Sequence, residues 1–179
     1  EQFNSWAVIE VLEPSASCPQ LEAVWEEYQK PVSIEDEVLG TLKLNRDFGL
    51  LDSEILWNGE KVSLALEIDL DDEETWDTAR SIAHKVMADR ESRDRSMREF
   101  AAKKLTELAN EWQADDDEKE NADPITEEAF AQRITLSELS LTYEGDFTAY
   151  FDDDDMFWGH TVEVCGSLEN GIESANIAG

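Results

Sequence analysis

The segment from Asp152 to His160 carries the densest set of side chains that could do chemistry in this sequence of 179 residues. Four consecutive aspartates lead into Phe157, Trp158 and His160. A histidine beside carboxylates could act as a general acid or base. No serine or cysteine stands out as a nucleophile for it to activate, so the sequence favours a structural role for His160 over a catalytic one.

The same carboxylates could bind a hard cation, because calcium and magnesium prefer oxygen ligands. A calcium-binding loop needs acids at alternate positions, a central glycine and a closing glutamate. The series Asp152, Asp154, Met156 fails at its third position, and the acidic run that begins at Asp69 has Glu74 where the glycine belongs. A phosphate-binding glycine loop and a zinc pattern are also missing from the sequence. The sequence therefore predicts no metal ion and no cofactor.

The pair Phe157-Trp158 favours a recognition surface in this segment. Tryptophan is enriched at binding hot spots, and carboxylates around an apolar anchor would steer a basic partner toward it. The alternative is that both rings fill the core while the aspartates cap a solvated loop, and the sequence leaves both interpretations open. Repulsion among adjacent carboxylates predicts that neutralising them stabilises the isolated fold or leaves it unchanged. The predicted partner-binding residues are Asp152, Asp153, Asp154, Asp155, Phe157, Trp158 and His160.

The charge of the chain indicates what kind of partner to expect. Forty-four acidic residues against fourteen basic ones give a net charge of -30, far beyond the magnitude of about 2 to 8 that a small domain needs for solubility. Such a field repels nucleic acid and anionic membranes and attracts basic proteins. Adaptation to high salt is an alternative, but lysine is not scarce. We therefore expect a basic protein partner, with no direct binding of nucleic acid or membrane.

The basic residues are unevenly distributed. The stretch from Arg80 to Lys104 holds eight of the fourteen bases and only four acids. This polarity could orient a partner. The favoured interpretation is that these bases neutralise acidic neighbours within the fold.

The cysteine content and the lack of export signals predict a cytoplasmic protein. Cys18 and Cys165 form no CxxC pair and no disulfide framework, which favours a reducing compartment. No apolar run approaches the roughly 20 residues of a membrane span, and no signal peptide is visible. The first residue is Glu1, which indicates a trimmed start or missing residues. We expect an N-terminal strand and helix extension over residues 1–37, a possible remnant of a longer region, and an acidic domain over residues 38–179.

Alternating apolar residues predict strands on both sides of a helical middle. An N-terminal strand over residues 3–12 precedes a short helix over residues 20–29. Strands at 41–44, 55–57 and 62–68 form an antiparallel meander with Asn58-Gly59 as its hairpin turn. Two more hairpins are predicted over residues 139–151, turning at Glu144-Gly145, and over residues 161–177, with Asn170-Gly171 at the tip.

The middle of the chain changes to helical spacing. Apolar residues recur from Trp76 to Met87 and again from Met97 to Trp112, so we expect two amphipathic helices or one long broken helix. Residues 115–123 predict a mobile acidic loop, and Thr126 is the predicted N-cap of a short third helix. The predicted fold is α+β, with an antiparallel sheet of meander and hairpins packed against two to three helices inserted between N-terminal and C-terminal strands.

Several motifs together resemble a known family. The tetrapeptide Phe157-Trp158-Gly159-His160 and the terminal segment SANIAG are the most distinctive, and Trp57-x-Gly59 and the run FAAKKL from Phe100 add to them. Over roughly residues 38–179 the chain resembles a bacterial family known only as a domain of unknown function, number two-two-six-two. The resemblance implies no activity and no site residues.

Three hypotheses about function follow. The first is an immunity-type inhibitor that occludes a basic toxin domain such as a nuclease, whose site must be cationic to hold phosphates. The second is a DNA mimic that acts on a nucleic-acid-binding protein. The third is an uncharacterised enzyme that uses a carboxylate and His160. Because no catalytic constellation is visible, we expect a binding protein rather than an enzyme.

Overall fold

In the described part of the chain, eight strands form one sheet in which each strand lies beside its neighbours in sequence. The computed structural model describes residues 18–116 and 122–179. All neighbouring strands are antiparallel except β4 and β5, which are parallel. The strands are β1 (Ser33–Asp36), β2 (Gly40–Asn45), β3 (Leu50–Trp57), β4 (Glu60–Glu67), β5 (Thr135–Leu141), β6 (Asp146–Asp152), β7 (Thr161–Ser167) and β8 (Gly171–Ala178).

The chain divides into two compact units, with the boundary between Val32 and Ser33. In the first unit, helix α1 (Pro19–Tyr28) confirms the predicted helix over residues 20–29. Proline suits its first position because the N–H that proline lacks has no partner there in any helix. The strand predicted over residues 3–12 lies outside the described residues.

The turn between β3 and β4 shows how local sequence sets the register of the sheet. Asn58 and Gly59 both have positive φ, 53° and 98°, the backbone that a two-residue hairpin turn requires and that asparagine and glycine tolerate best. Trp57 consequently faces Glu60, and the pairing continues regularly to Leu50 opposite Glu67. The predicted hairpin is confirmed.

Among the described residues, three helices lie in the connection from β4 to β5. They are α2 (Glu73–Ala88), α3 (Arg90–Ala114) and α4 (Glu127–Arg133). Asp89 alone separates α2 from α3, with φ -119° and ψ 23°. The structure therefore has two helices in the predicted helical middle, broken at one residue. Thr126 caps α4 as predicted, because its hydroxyl oxygen accepts the N–H of Ala129.

Helices α2, α3 and α4 cover one face of the sheet, and the core lies between these helices and the sheet. On β3 and β4 the paired residues Leu51 and Leu66, and Ile55 and Val62, are buried. The opposite face carries polar side chains, including Glu138, Tyr150 and Glu163 side by side on three strands. Burial and the neighbouring carboxylate of Glu163 raise the pKa of Tyr150. This is the predicted α+β fold. None of the described helices is long and apolar enough to cross a membrane.

Strand β1 was not predicted from the sequence, because its four residues, Ser33–Asp36, show no apolar alternation. Its last residue, Asp36, has a side chain that is only 4 % exposed. Asp36 accepts hydrogen bonds from the N–H groups of Val38 and Leu39 at 2.9 and 3.0 Å. Arg80 and His84 of α2 reach the same carboxylate at 3.3 and 2.9 Å. The first strand is thereby tied to α2.

Burial alone would raise the pKa of Asp36. The backbone N–H groups and the His84 ring outweigh it, so this pKa lies well below the usual carboxyl range. A depressed pKa stabilises the fold above the pKa of the unfolded chain, about 3.9 for aspartate, and that contribution is lost as pH falls toward the folded value.

We predict that Asp36→Asn lowers the free energy of unfolding at pH 7 by about 2 kcal/mol. This is less than breaking a fully buried pair would cost, because Arg80 and His84 stay partly in contact with water. The deficit should persist down to about pH 4 and shrink below it. Urea denaturation across this range measures it. The control is Asp77→Asn, which removes another Arg80 partner at 3.0 Å whose side chain is 84 % exposed. Equal effects of the two changes would contradict the role of Asp36.

Candidate functional site

All the predicted binding residues except Asp152 lie in the connection between β6 and β7, which we call the β6–β7 loop (Asp153–His160). Asp152 ends β6 and pairs with Thr161 at the start of β7. Both ends of the loop are therefore fixed by the sheet. The structure brings all seven predicted residues into one segment, but it gives them different environments.

Asp153 is not a solvated charge but the internal acceptor of the loop. It is 5 % exposed. Its carboxylate accepts the N–H of Asp155 at 3.1 Å and the N–H of Phe157 at 2.5 Å, and its carbonyl accepts the N–H of Met156 at 3.1 Å. The sequence led us to expect that neutralising all four aspartates would leave the fold unharmed. For Asp153 these contacts predict the opposite, because its carboxylate accepts backbone N–H groups inside the loop.

Asp154 fastens the loop to the end of α4. Arg133 donates from Nε to Asp154 Oδ2 at 2.7 Å and from Nη2 to the Asp154 carbonyl at 2.8 Å. Both side chains are partly exposed, so the ion pair contributes modestly to stability. The main effect of this ion pair is to hold the loop in place against the end of α4. Asp152, Asp154 and Asp155 are exposed, so their carboxylates lie at the surface.

The backbone of the loop is strained. Asp154, Asp155 and Trp158 have φ of 50°, 58° and 57°. Aspartate tolerates this left-handed region, but for a bulky residue such as tryptophan it is a genuine outlier. Such strain persists only where surrounding contacts enforce it, and it clusters at functional sites. Here the bonds to Asp153 and the Arg133 pair supply that enforcement.

The two adjacent aromatic residues have opposite environments. Phe157 is fully buried and meets Trp112 and Phe130 edge-on, with ring centroids 5.6 and 6.0 Å apart. Trp158 is 55 % exposed and lies against Trp112 at 4.7 Å. Phe157 therefore belongs to the core, as one of the two interpretations predicted, whereas Trp158 lies at the surface.

His160 completes an aromatic cluster around Trp112. Its ring is half-buried and meets Trp112 edge-on at 5.5 Å. Within the described residues, its ring makes no hydrogen bond to a carboxylate of the loop. Cys165 lies in β7, as predicted for a strand residue, and burial raises the pKa of its thiol.

Two residues of this site escaped sequence reasoning. Trp112 fits the apolar stripe of α3, and nothing local showed that its ring also supports Trp158 and His160. Arg133 carries a weak signal, because a base in the last turn of a helix often serves the helix end. Its partner lies 21 residues along the chain, which local patterns do not reveal. The predicted acidic loop over residues 115–123 falls partly outside the described residues.

The β6–β7 loop encloses little volume beside Trp158. The hollow beside Trp158 measures only about 30 Å³, whereas small-molecule sites measure about 300 Å³ or more. The described residues also contain no group of three acidic, histidine or cysteine side chains placed to hold a metal ion. What the loop presents is an exposed indole on a fixed backbone beside exposed carboxylates.

Some of the basic residues between Arg80 and Lys104 form ion pairs within the fold. Arg80 pairs with Asp36 and Asp77, and Arg98 of α3 pairs with Asp94 at 2.7 Å. Arg98 also donates to backbone carbonyls at the end of α4. These contacts favour the interpretation that the bases neutralise acidic neighbours.

We predict that Asp153→Asn lowers the free energy of unfolding by about 1 to 3 kcal/mol. Asp155 and Phe157 donate to different oxygens of the carboxylate, and an amide would present an NH2 group to one of these two donors. The matched control is Asp152→Asn, an exposed aspartate one residue earlier, which should change stability by less than about 0.5 kcal/mol. Urea denaturation of both variants measures the difference. Equal stability of the two would show that Asp153 does not organise the loop.

We also predict that a chelator leaves the melting temperature unchanged. Asp153 accepts backbone N–H groups and Asp154 pairs with Arg133, and the spacing of the acids closes no cage. Scanning calorimetry with and without the chelator tests this, and stabilisation of several degrees by added calcium would contradict it.

Comparison with known proteins places the chain in a family. Residues 36–177 match the family model described as "Uncharacterized protein conserved in bacteria (DUF2262)". Searches of curated proteins and of solved structures found no significant match. The family match confirms the resemblance seen in the sequence and covers the sheet from the end of β1 to β8. The chain belongs to this bacterial family, DUF2262.

Proposed function

We propose that this protein is a non-enzymatic binding protein whose β6–β7 loop forms part of a surface for a basic protein. The observation that carries the proposal is Trp158, an exposed indole held on a strained backbone. An apolar ring kept at the surface, while its neighbour Phe157 is fully buried, is the arrangement of a hot-spot anchor. The bonds to Asp153 and Arg133 fix the anchor before a partner arrives, which reduces the ordering cost of binding.

Charge supports a basic partner. The chain carries a net charge of -30, and Asp152 and Asp155 lie exposed in the segment that presents Trp158. Such a surface steers cationic proteins and repels nucleic acid. A nuclease must hold phosphates in a cationic site, so an acidic surface can occupy that site in place of the substrate. The specific form of the proposal is therefore an immunity-type inhibitor of a basic toxin domain such as a nuclease.

Two further observations fit the proposal. The hollow at Trp158 is too small for a substrate pocket, and His160 packs against an indole. Both favour protein binding over catalysis at this site. The two cysteines are free, which agrees with the reducing conditions of the cytoplasm, where an immunity protein would meet its toxin.

The test begins with the tagged chain as bait in an extract of a bacterium that carries this family, followed by calorimetry with the purified partner. We predict a basic partner whose affinity falls steeply between low and physiological salt, because exposed charges are screened within about 8 Å at 0.15 M. If the partner is a nuclease, equimolar protein should also inhibit its activity. An affinity that does not depend on salt would contradict the electrostatic argument.

The decisive variant is Trp158→Ala. It should weaken binding about thirtyfold, as expected for a hot-spot residue, and lower stability by only about 1 kcal/mol, since the ring is half exposed and mainly loses its contact with Trp112. The matched control is Trp25→Ala in α1, whose side chain is similarly exposed, at 57 %. Wild-type affinity of Trp158→Ala would place the interface elsewhere, for example along the acidic stretch that begins at Asp115.

A further inference from the structure

A pocket of about 310 Å³ lies where the break between α2 and α3 meets the sheet. This volume falls at the lower end of the range for small-molecule sites and is about ten times that of the hollow beside Trp158. Leu139, Leu141 and Phe147 of the sheet line it together with Met97 of α3 and Trp57 of β3. All five are buried residues of the core, so the pocket offers an apolar interior.

The lip of the pocket is polar and comes mainly from the helix break. Asp89, Ser92, Arg93 and Ser96 line it. The Nε atom of Arg93 is buried and has no hydrogen-bond partner among the described residues. Asp89 Oδ2 is 3.8 Å from this atom, which is too far for a hydrogen bond. A buried donor without an acceptor is unfavourable, and a ligand that supplies the acceptor would relieve it.

We infer that this pocket binds a small apolar monocarboxylate, with its apolar body on the buried leucines and its carboxylate on Arg93. A carboxylate fits the planar guanidinium, to which it can bind through two parallel hydrogen bonds. The hydroxyl groups of Ser92 and Ser96 could donate further bonds at the lip. The site is separate from the β6–β7 loop, and the inference does not rest on the function proposed for that loop.

The acidic character of the chain does not prevent such binding. Charges farther from the pocket than about 8 Å are largely screened at physiological salt, whereas a partly buried pair is screened much less. Whether an anion binds depends on the charged residues that line the pocket, Asp89 and Arg93. Asp89 competes for Arg93, so an anion must bind Arg93 better than Asp89 does at 3.8 Å. If Asp89 dominated, the pocket would instead prefer a cation, and the experiment separates the two cases.

The experiment titrates the intact chain with octanoate, octylammonium and 1-octanol, which share one apolar body and differ in charge, below the concentrations at which they form micelles. The readout is the indole N–H signal of Trp57, which lines the pocket and donates to Asp94 at 2.9 Å. Octanoate should shift this signal saturably and bind about tenfold more tightly than 1-octanol. The indoles of the exposed Trp25 and Trp158 serve as internal controls for nonspecific contact and should not shift.

Two variants test the assigned contact. Arg93→Gln should weaken octanoate at least about tenfold, the size of a lost charge-assisted hydrogen bond, and leave 1-octanol unchanged. The matched control is Arg95→Gln, which removes an equal charge from an exposed residue of α3 outside the pocket lining. It should leave the affinities for octanoate and 1-octanol unchanged. Tighter binding of octylammonium than of octanoate, equal loss in both variants, or no saturable shift at Trp57 would each overturn the inference.

Discussion

The parallel pairing of β4 with β5 is the constraint on which the rest of the structure depends. The pairing runs from Ser63 opposite Glu138 to Leu66 opposite Leu141, and it joins two antiparallel four-stranded halves into one sheet. Parallel neighbours need a long connection, because the chain must return to the end at which the first strand began. Helices α2, α3 and α4 make this connection and cover one face of the sheet. The opposite face can therefore be polar while the core stays continuous.

Both sites arise where this connection meets the sheet. The break at Asp89 leaves the apolar pocket open near the start of α3, and Trp112 near the end of the same helix supports the β6–β7 loop. At 1.5 Å per residue, Arg93 and Trp112 are separated by about 28 Å along the helix. Effects of changes at such a distance should add rather than couple. A variant that weakens carboxylate binding should therefore leave partner binding intact, so the two proposals can fail independently.

Features set by neighbouring residues could be predicted from the sequence, and features set by distant ones could not. The turn at Asn58 and the cap at Thr126 follow from local chemistry and were predicted. The parallel pair β4–β5 depends on where a long crossover returns, which no local pattern encodes. The four aspartates from Asp152 to Asp155 look alike in the sequence, and only the folded backbone separates buried Asp153 from its exposed neighbours. The same backbone sends Phe157 inward and leaves Trp158 at the surface.

Contacts within the fold account for only part of the acidic residues of the chain. Some carboxylates stabilise the structure: Asp36 pairs with Arg80, and Asp153 accepts a backbone N–H within its loop. Fourteen lysines and arginines can offset at most fourteen of the forty-four carboxylates, however, so pairing within the fold cannot account for most of the charge. The surplus destabilises the folded state through self-repulsion. A cationic partner would relieve that repulsion on binding, and the exposed ring of Trp158 would supply the apolar contact that electrostatic steering alone does not provide.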